Sequence, residues 1–244
     1  MWNANRYKWM TGGILLLLFT LMFLLRVEPV TAESKESFDR LADQTWNTRH
    51  YYEVRPEGEV RGGILIYPDS GEDPVNYATL AERLAGEGLK TRVMKYPLGK
   101  AVLSQTELKE MDDNGGSAWI TIGFGDGGKK ACVLADRSPD ITGLIILGDC
   151  QADVNLNDND IRVTFFELAG HSISEEQKAK IIKRLPADTV FRTAESKEEI
   201  TGKITQEIQE TAVMQRMAVR EAECDLVSEI NRILARKGTG SKDR

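Results

Sequence analysis

Histidine is scarce in this chain: its 244 residues include two, His50 and His171. That leaves little for a His-rich metal site or a conventional Ser-His-acid triad. Cysteine is also scarce, with three residues at Cys132, Cys150 and Cys224. They lack CxxC spacing, which excludes a zinc knuckle, and their odd number speaks against a disulfide framework. There is no excess of positive charge. Net charge is -6 and the pI is about 5.2, so no broad basic face is available for nucleic acid. No internal repeat or low-complexity stretch is present. With 41% hydrophobic and 29% charged residues, the composition is that of a globular protein.

One long apolar run stands out. Trp9–Leu25, containing "GGILLLLFTLMFLL", approaches the roughly 17 residues that can span a bilayer. It reads as an uncleaved anchor, or as a signal peptide cleaved after Val30-Thr31-Ala32. Arg6 and Lys8 precede it, while Arg26, Lys35 and Arg40 follow, so Lys/Arg counting leaves the orientation open. A short basic N-terminus before an apolar run favours export of the bulk of the chain. The expected organisation is a cytoplasmic tip with anchor or signal over 1–32, a stalk or first helix over 33–49, a folded domain over 50–236 and a frayed tail over 237–244.

From residue 50 onward, strand-like and helix-like segments alternate. "HYYEVRPEGEVRGGILIYP" predicts a hairpin, with His50–Arg55 and Arg61–Tyr67 joined by a turn at Pro56-Glu57-Gly58. "DPVNYATLAERLAGEG" spaces Val75, Leu80, Ala81, Leu84 and Ala85 as a helix, opened by Pro74 and stopped by Gly86 and Gly88. Further strands are expected in "KTRVMKYP", "SAWITIG", "TGLIILG", "IRVTFFELAG" and "TVFRTA". Helices are expected in "SQTELKEMDD", "GGKKACVLADRSPD" and "SEEQKAKIIKRLP". Apolar strands that do not alternate, separated by helices, predict an α/β fold with a mostly parallel sheet covered on both faces.

The strand-turn-helix segment "WITIGFGDGGKKACVLADRSPD" resembles a nucleophile elbow, the G-x-S-x-G turn of α/β-hydrolases. Together with "LIYPDSGEDPVNYATLAERLA", "RVMKYPLGKAVL" and "GLIILGDC", it resembles the small bacterial α/β-hydrolases of the dienelactone-hydrolase-like group over about residues 50–235. The resemblance implies an esterase-type serine hydrolase. It also exposes three vacancies. Gly125 stands where the nucleophilic Ser belongs. The acid position, after "VTFFELAG", offers His171-Ser172-Ile173. The histidine loop is "TAESKEEITGK", without His.

Other residues are candidate carriers of chemistry. Asp126, beside the nucleophile position, reads first as an acid favoured by a helix dipole. Cys150 has no evident His to activate it and, like Cys132, reads as a core residue. Asp69, Asp126, Asp149 and Glu167 fall near the carboxyl ends of strands, where a divalent cation is one reading and ordinary loop polarity the preferred one. "DVNLNDND", Asp153 to Asp160, departs from a calcium loop at Asp158 and Thr164. His171-Ser172 lacks an acid partner. The Gly-rich turn could cradle a phosphate, but Asp126 opposes that. His50 is placed far from the carboxyl edge of the sheet. The C-terminal stretch Ile204–Arg236 reads as a long amphipathic helix or, since one helix of that length would exceed the domain, a broken pair with Ala218–Leu234 docked on the sheet through an apolar stripe that includes Val219, Leu226, Ile230 and Leu234.

The expectation is therefore an anchored or exported α/β-hydrolase-fold protein without a working triad, acting as a binding or scaffold module. The alternative is a hydrolase using a displaced constellation around Asp126 or Cys150. Ligand-cleft candidates are Asp69, Gly125, Asp126 and Asp149. No metal or cofactor is expected. The expected partners are the membrane through residues 9–25, a small molecule in the remnant cleft and a protein at the C-terminal helix.

Overall fold

The computed structural model describes residues 13–20, 27–101, 119–148, 150, 154–157, 159–169, 174–196 and 199–209. The chain divides into two compact units, 1–200 and 201–244. In the second, residues 201–209 are helical, and the rest of the expected C-terminal helix lies outside the described residues. So do the helix expected in "SQTELKEMDD" and the pair His171-Ser172. The segment Asp153–Asp160 is described only in part.

The first unit begins with α1, Ala32–Arg40, and β1, Thr45–Asn47. Then come β2 (Tyr51–Val54), β3 (Gly62–Tyr67), α2 (Ala78–Gly86), β4 (Leu89–Met94), β5 (Trp119–Gly125), α3 (Asp126–Arg137), β6 (Ile141–Gly148), β7 (Arg162–Leu168), α4 (Glu175–Ile182) and β8 (Val190–Ala194). One sheet contains all eight strands, in the order β1-β2-β4-β3-β5-β6-β7-β8. From β4 to β8 the neighbours are parallel, while β1 and β2 are antiparallel additions at one edge.

The expected hairpin between His50–Arg55 and Arg61–Tyr67 does not form. β2 pairs with β1 and β4, and β3 pairs with β4 and β5. β3 is buried along its whole length, as befits a central strand covered on both faces. The α2 crossover returns the chain beside it, so β4 takes the side that a hairpin partner would have needed. The hairpin lies one strand earlier, where β1 folds back on β2 through Thr48–His50.

The 33–49 segment, expected as a stalk or first helix, holds most of α1 and all of β1. Thr31 caps α1 by accepting from the Ser34 N–H at 3.2 Å. Ser37 is buried against Thr79, and Phe38 meets Tyr52 edge-on at 5.3 Å.

α2 and α3 cover opposite faces of the sheet. Adjacent residues of a strand point to opposite faces. On β5, Phe124 meets the Tyr77 ring at 4.7 Å, just before α2, while a Cβ at Gly123 would lie 2.8 Å from Ala131 of α3. The α3 face carries an apolar cluster that includes Leu65, Trp119, Leu144, Ile146 and Phe165. A buried ion pair lies towards the other end of the sheet. Arg92 of β4 donates through Nε to Glu53 of β2 at 2.5 Å, and its guanidinium stacks on Tyr51 and Trp119.

Cys132 of α3 and Cys150, just beyond β6, form a disulfide with a Cα–Cα distance of 5.8 Å. This corrects their reading as unpaired core cysteines. The odd cysteine count hid the pair, since it left no sign of which two of the three would meet.

Candidate active site

The turn from β5 into α3 takes its shape from glycine. Gly125 caps α3 with φ 50° and ψ −121°, a conformation costly for side-chain-bearing residues. It is the strained strand-to-helix corner on which an elbow nucleophile would sit. Gly127 allows the close approach behind it, since a Cβ there would come within 2.3 Å of the Tyr67 and Pro68 carbonyl oxygens. The first turn of α3 therefore packs directly against the end of β3.

The position of the missing side chain is filled from another part of the chain. A Cβ at Gly125 would lie 2.1 Å from Cγ and Oδ1 of Asp69. Asp69 follows β3 in the loop leading to α2. Its Oδ1 accepts from the backbone N–H of Asp126 at 2.8 Å and from that of Ser70 at 2.7 Å. One of these donors follows the nucleophile position and the other comes from the loop after β3. These are the two sources of an α/β-hydrolase oxyanion hole. A carboxylate oxygen thus receives both donors, in charge-assisted bonds.

Neighbouring groups hold this loop in place. The Asp69 N–H donates to the Tyr77 hydroxyl at 3.3 Å, and that hydroxyl donates to Glu72. Gly71 N–H donates to the Gly99 carbonyl at 2.7 Å, and Ala101 N–H to Ser70 Oγ at 3.2 Å. Burial, reinforced by Glu72, raises the Tyr77 hydroxyl well above its ordinary range, so it remains protonated. Burial also raises Tyr96, whose hydroxyl lies within electrostatic reach of Tyr67, Asp69 and Asp126.

Asp126 is exposed at the first position of α3 and pairs with Lys129 at 2.9 Å. The Lys129 hydrogen bond is the main cause that lowers its carboxyl below the usual range, against partial burial; Ser70 adds to the effect. This is the behaviour of an acid at a helix N-terminus. The structure brings Gly125, Asp126 and Asp69 together, while Asp149 lies outside the described residues. Glu167 forms an ion pair with Lys178 of α4 at 2.8 Å. Among the described residues, no group of three or more His, Cys, Asp or Glu could hold a metal ion.

Two readings need correction. Cys150 is bonded to Cys132 and so offers no thiolate in this state. His50 does lie at the carboxyl edge of the parallel strands. Because β2 runs antiparallel, Tyr51 pairs with Met94 at the end of β4, and Lys95 N–H donates to the His50 carbonyl at 2.7 Å. His50 is nonetheless exposed and remote from the elbow, for β4 and β3 intervene between β2 and β5. Three strand spacings amount to roughly 14 Å.

The sheet order, the elbow and the paired amides define an α/β-hydrolase architecture. The family model for the alpha/beta hydrolase family matches residues 63–199, and this chain belongs to that family. Among solved structures, it is similar to AbyA5, with 15% identity and a TM-score of 0.53 over 76% of this chain and 78% of the other. It is also similar to a candidate thioesterase from Silicibacter sp. TM1040, with 13% identity and a TM-score of 0.53 over 71% and 86%. At these identities the likeness is one of fold. No curated protein matches the chain significantly in sequence.

Proposed function

We propose that this chain is a non-catalytic α/β-hydrolase-fold protein, anchored at the outer face of a membrane and acting as a binding or scaffold module. The observation that carries this reading is the Asp69 carboxylate over Gly125. The elbow has no nucleophilic side chain, and a carboxylate takes up the donors that would stabilise an oxyanion.

Three observations support the anchored, exported setting. Within the apolar run, residues 13–20 are helical, and Ile14 to Phe19 are each more than half exposed. Among the described residues no helix is long and apolar enough to cross a membrane, and most of the run lies outside them. Second, the Cys132–Cys150 disulfide suits an oxidising compartment. Third, residues 28–31 are built into the domain: Glu28 N–H donates to the Gly71 carbonyl at 2.6 Å, Thr31 N–H to Asn76 at 2.9 Å, and Thr31 caps α1. Cleavage after Ala32 would remove these contacts, which favours an anchor over a cleaved signal. The C-terminal segment 204–236 is the proposed site for a protein partner.

The test is hydrolysis of p-nitrophenyl acetate and an acyl thioester by the full chain in detergent, the thioester being chosen because a structural relative is described as a candidate thioesterase. The expected rate is that of the detergent blank. Turnover that disappears in Asp69→Asn or Asp126→Asn would overturn the non-catalytic reading. Recovery of the intact chain in the membrane fraction, accessible to protease only from outside, checks the location.

A further inference from the structure

The apolar run joins the folded domain at one fixed place. Its last residue, Leu25, is two positions before Val27, so the chain between them reaches at most about 7 Å. Val27 sits beside Gly99, where an added Cβ would lie 3.0 Å from Val27 Cγ2. Glu28 N–H donates to the Gly71 carbonyl at 2.6 Å, and the Asn76 side chain donates to the Pro29 carbonyl at 3.4 Å. Thr31 N–H donates back to that asparagine at 2.9 Å. Gly71 and Gly99 belong to the loops that leave β3 and β4. These strands are parallel neighbours, so both loops lie at the carboxyl edge of the sheet. The run therefore meets the domain at that edge, without a free linker.

The same edge presents an exposed leucine in a strained conformation. Among the described residues, Leu98 is the one non-glycine with a positive φ, at 53°, and it is 63% exposed. A left-handed backbone is unfavourable for a residue that carries a Cβ. Burial within the domain does not offset that cost here. A strained apolar side chain held outward, one residue from the contact with Val27, suits an apolar surface outside the domain.

We propose that the carboxyl edge of the sheet rests on the bilayer, with the Leu98 side chain in the lipid interface. If residues 9–25 cross a membrane, its surface must lie within the short reach of Val27, and Leu98 lies beside that point. This rests on the anchored reading and adds which face of the domain the membrane covers. The corner at Gly125 ends β5, the other parallel neighbour of β3, so it lies at the covered edge as well.

The full chain, in a Cys224→Ser background, is reconstituted into phosphatidylcholine vesicles. A nitrobenzoxadiazole label is placed on Leu98→Cys or, separately, on Val60→Cys; Cys132 and Cys150 are bonded and take none. Val60 is exposed and precedes β3 at the opposite, amino edge of the sheet. Doxyl-labelled phosphatidylcholine is expected to quench most of the emission from position 98 and little from position 60. Aqueous iodide should give the reverse order. A label at position 98 that iodide quenches and lipid does not, on a chain that stays with the vesicles through an alkaline wash, would overturn the proposal and leave the anchored reading standing. Equal lipid quenching at the two positions would overturn it too. If Leu98→Cys does not fold, Val27→Cys takes its place, with lipid quenching expected there as well. Release of the chain by the alkaline wash would overturn the anchored reading, and this proposal with it.

Discussion

Asp69 and Gly125 exclude each other's side chains: a Cβ on Gly125 would meet the Asp69 carboxyl carbon at 2.1 Å. The glycine is therefore required both by backbone conformation and by the carboxylate over it. Restoring an elbow serine is expected to act on this pair first.

Gly125→Ser should destabilise the fold by about 2–4 kcal/mol, combining strain at φ 50° with overpacking against Asp69. Asp69→Gly in the same chain should relieve the packing part. Urea unfolding of both single variants and the double should give a favourable coupling of about 1–2 kcal/mol. Simple additivity would show that Asp69 does not fill the position above Gly125.

The Glu53–Arg92 pair should be asymmetric to mutation. Both side chains are almost fully buried. Removing one partner, as in Glu53→Ala, strands a buried charge and should cost about 3–5 kcal/mol. Replacing both, as in Glu53→Leu with Arg92→Met, should recover most of that loss, as read from denaturant midpoints. A double variant as unstable as Glu53→Ala would show that the two side chains have separate structural roles.

The same pair contributes to acid sensitivity. Burial alone would raise the Glu53 carboxyl, but hydrogen bonds and charge from Arg92 and Arg55 outweigh it and leave it below its ordinary 4.5. A depressed carboxyl contributes stability above the unfolded value, and that contribution is lost as pH falls through the folded value. Stability of Glu53→Gln should therefore fall less steeply than that of the wild type from pH about 4.5 downwards. Equilibrium unfolding across this range measures it, and identical slopes would contradict the assignment.

Cys132 and Cys150 are 18 residues apart in sequence. Closing a loop of that length is worth about 3 kcal/mol through the unfolded state. Reductant should lower the wild-type melting temperature and leave Cys132→Ala/Cys150→Ala unchanged. Trapping of Cys150 as a free thiol in native, unreduced protein would contradict the bond.

Much of this architecture is legible locally. The helix in "DPVNYATLAERLAGEG" follows from apolar spacing with Pro74 at its start and Gly86 and Gly88 at its end. The buried strand "WITIG" and the turn "GFGDGG" follow from an apolar run meeting clustered glycines. These features depend on residues a few positions apart, so propensity and spacing determine them. The hairpin expected in "HYYEVRPEGEVRGGILIYP" failed because local pattern cannot say which strand lies beside which. The α2 crossover placed β4 between the two candidates. His50 was misplaced for the same reason: its position depends on the antiparallel course of β2.

By itself, then, the sequence determined the α/β class, the glycine corner and the absence of a nucleophile at Gly125. Only the tertiary structure decided what replaces that nucleophile. Asp69 and Asp126 are 57 positions apart, and their 2.8 Å contact exists because β3 and β5 are parallel neighbours whose ends meet at one edge. The Cys132–Cys150 bond likewise needs α3 packed on β6. Contacts across the sheet are set by strand order, and strand order emerges from burying the whole set of apolar faces together.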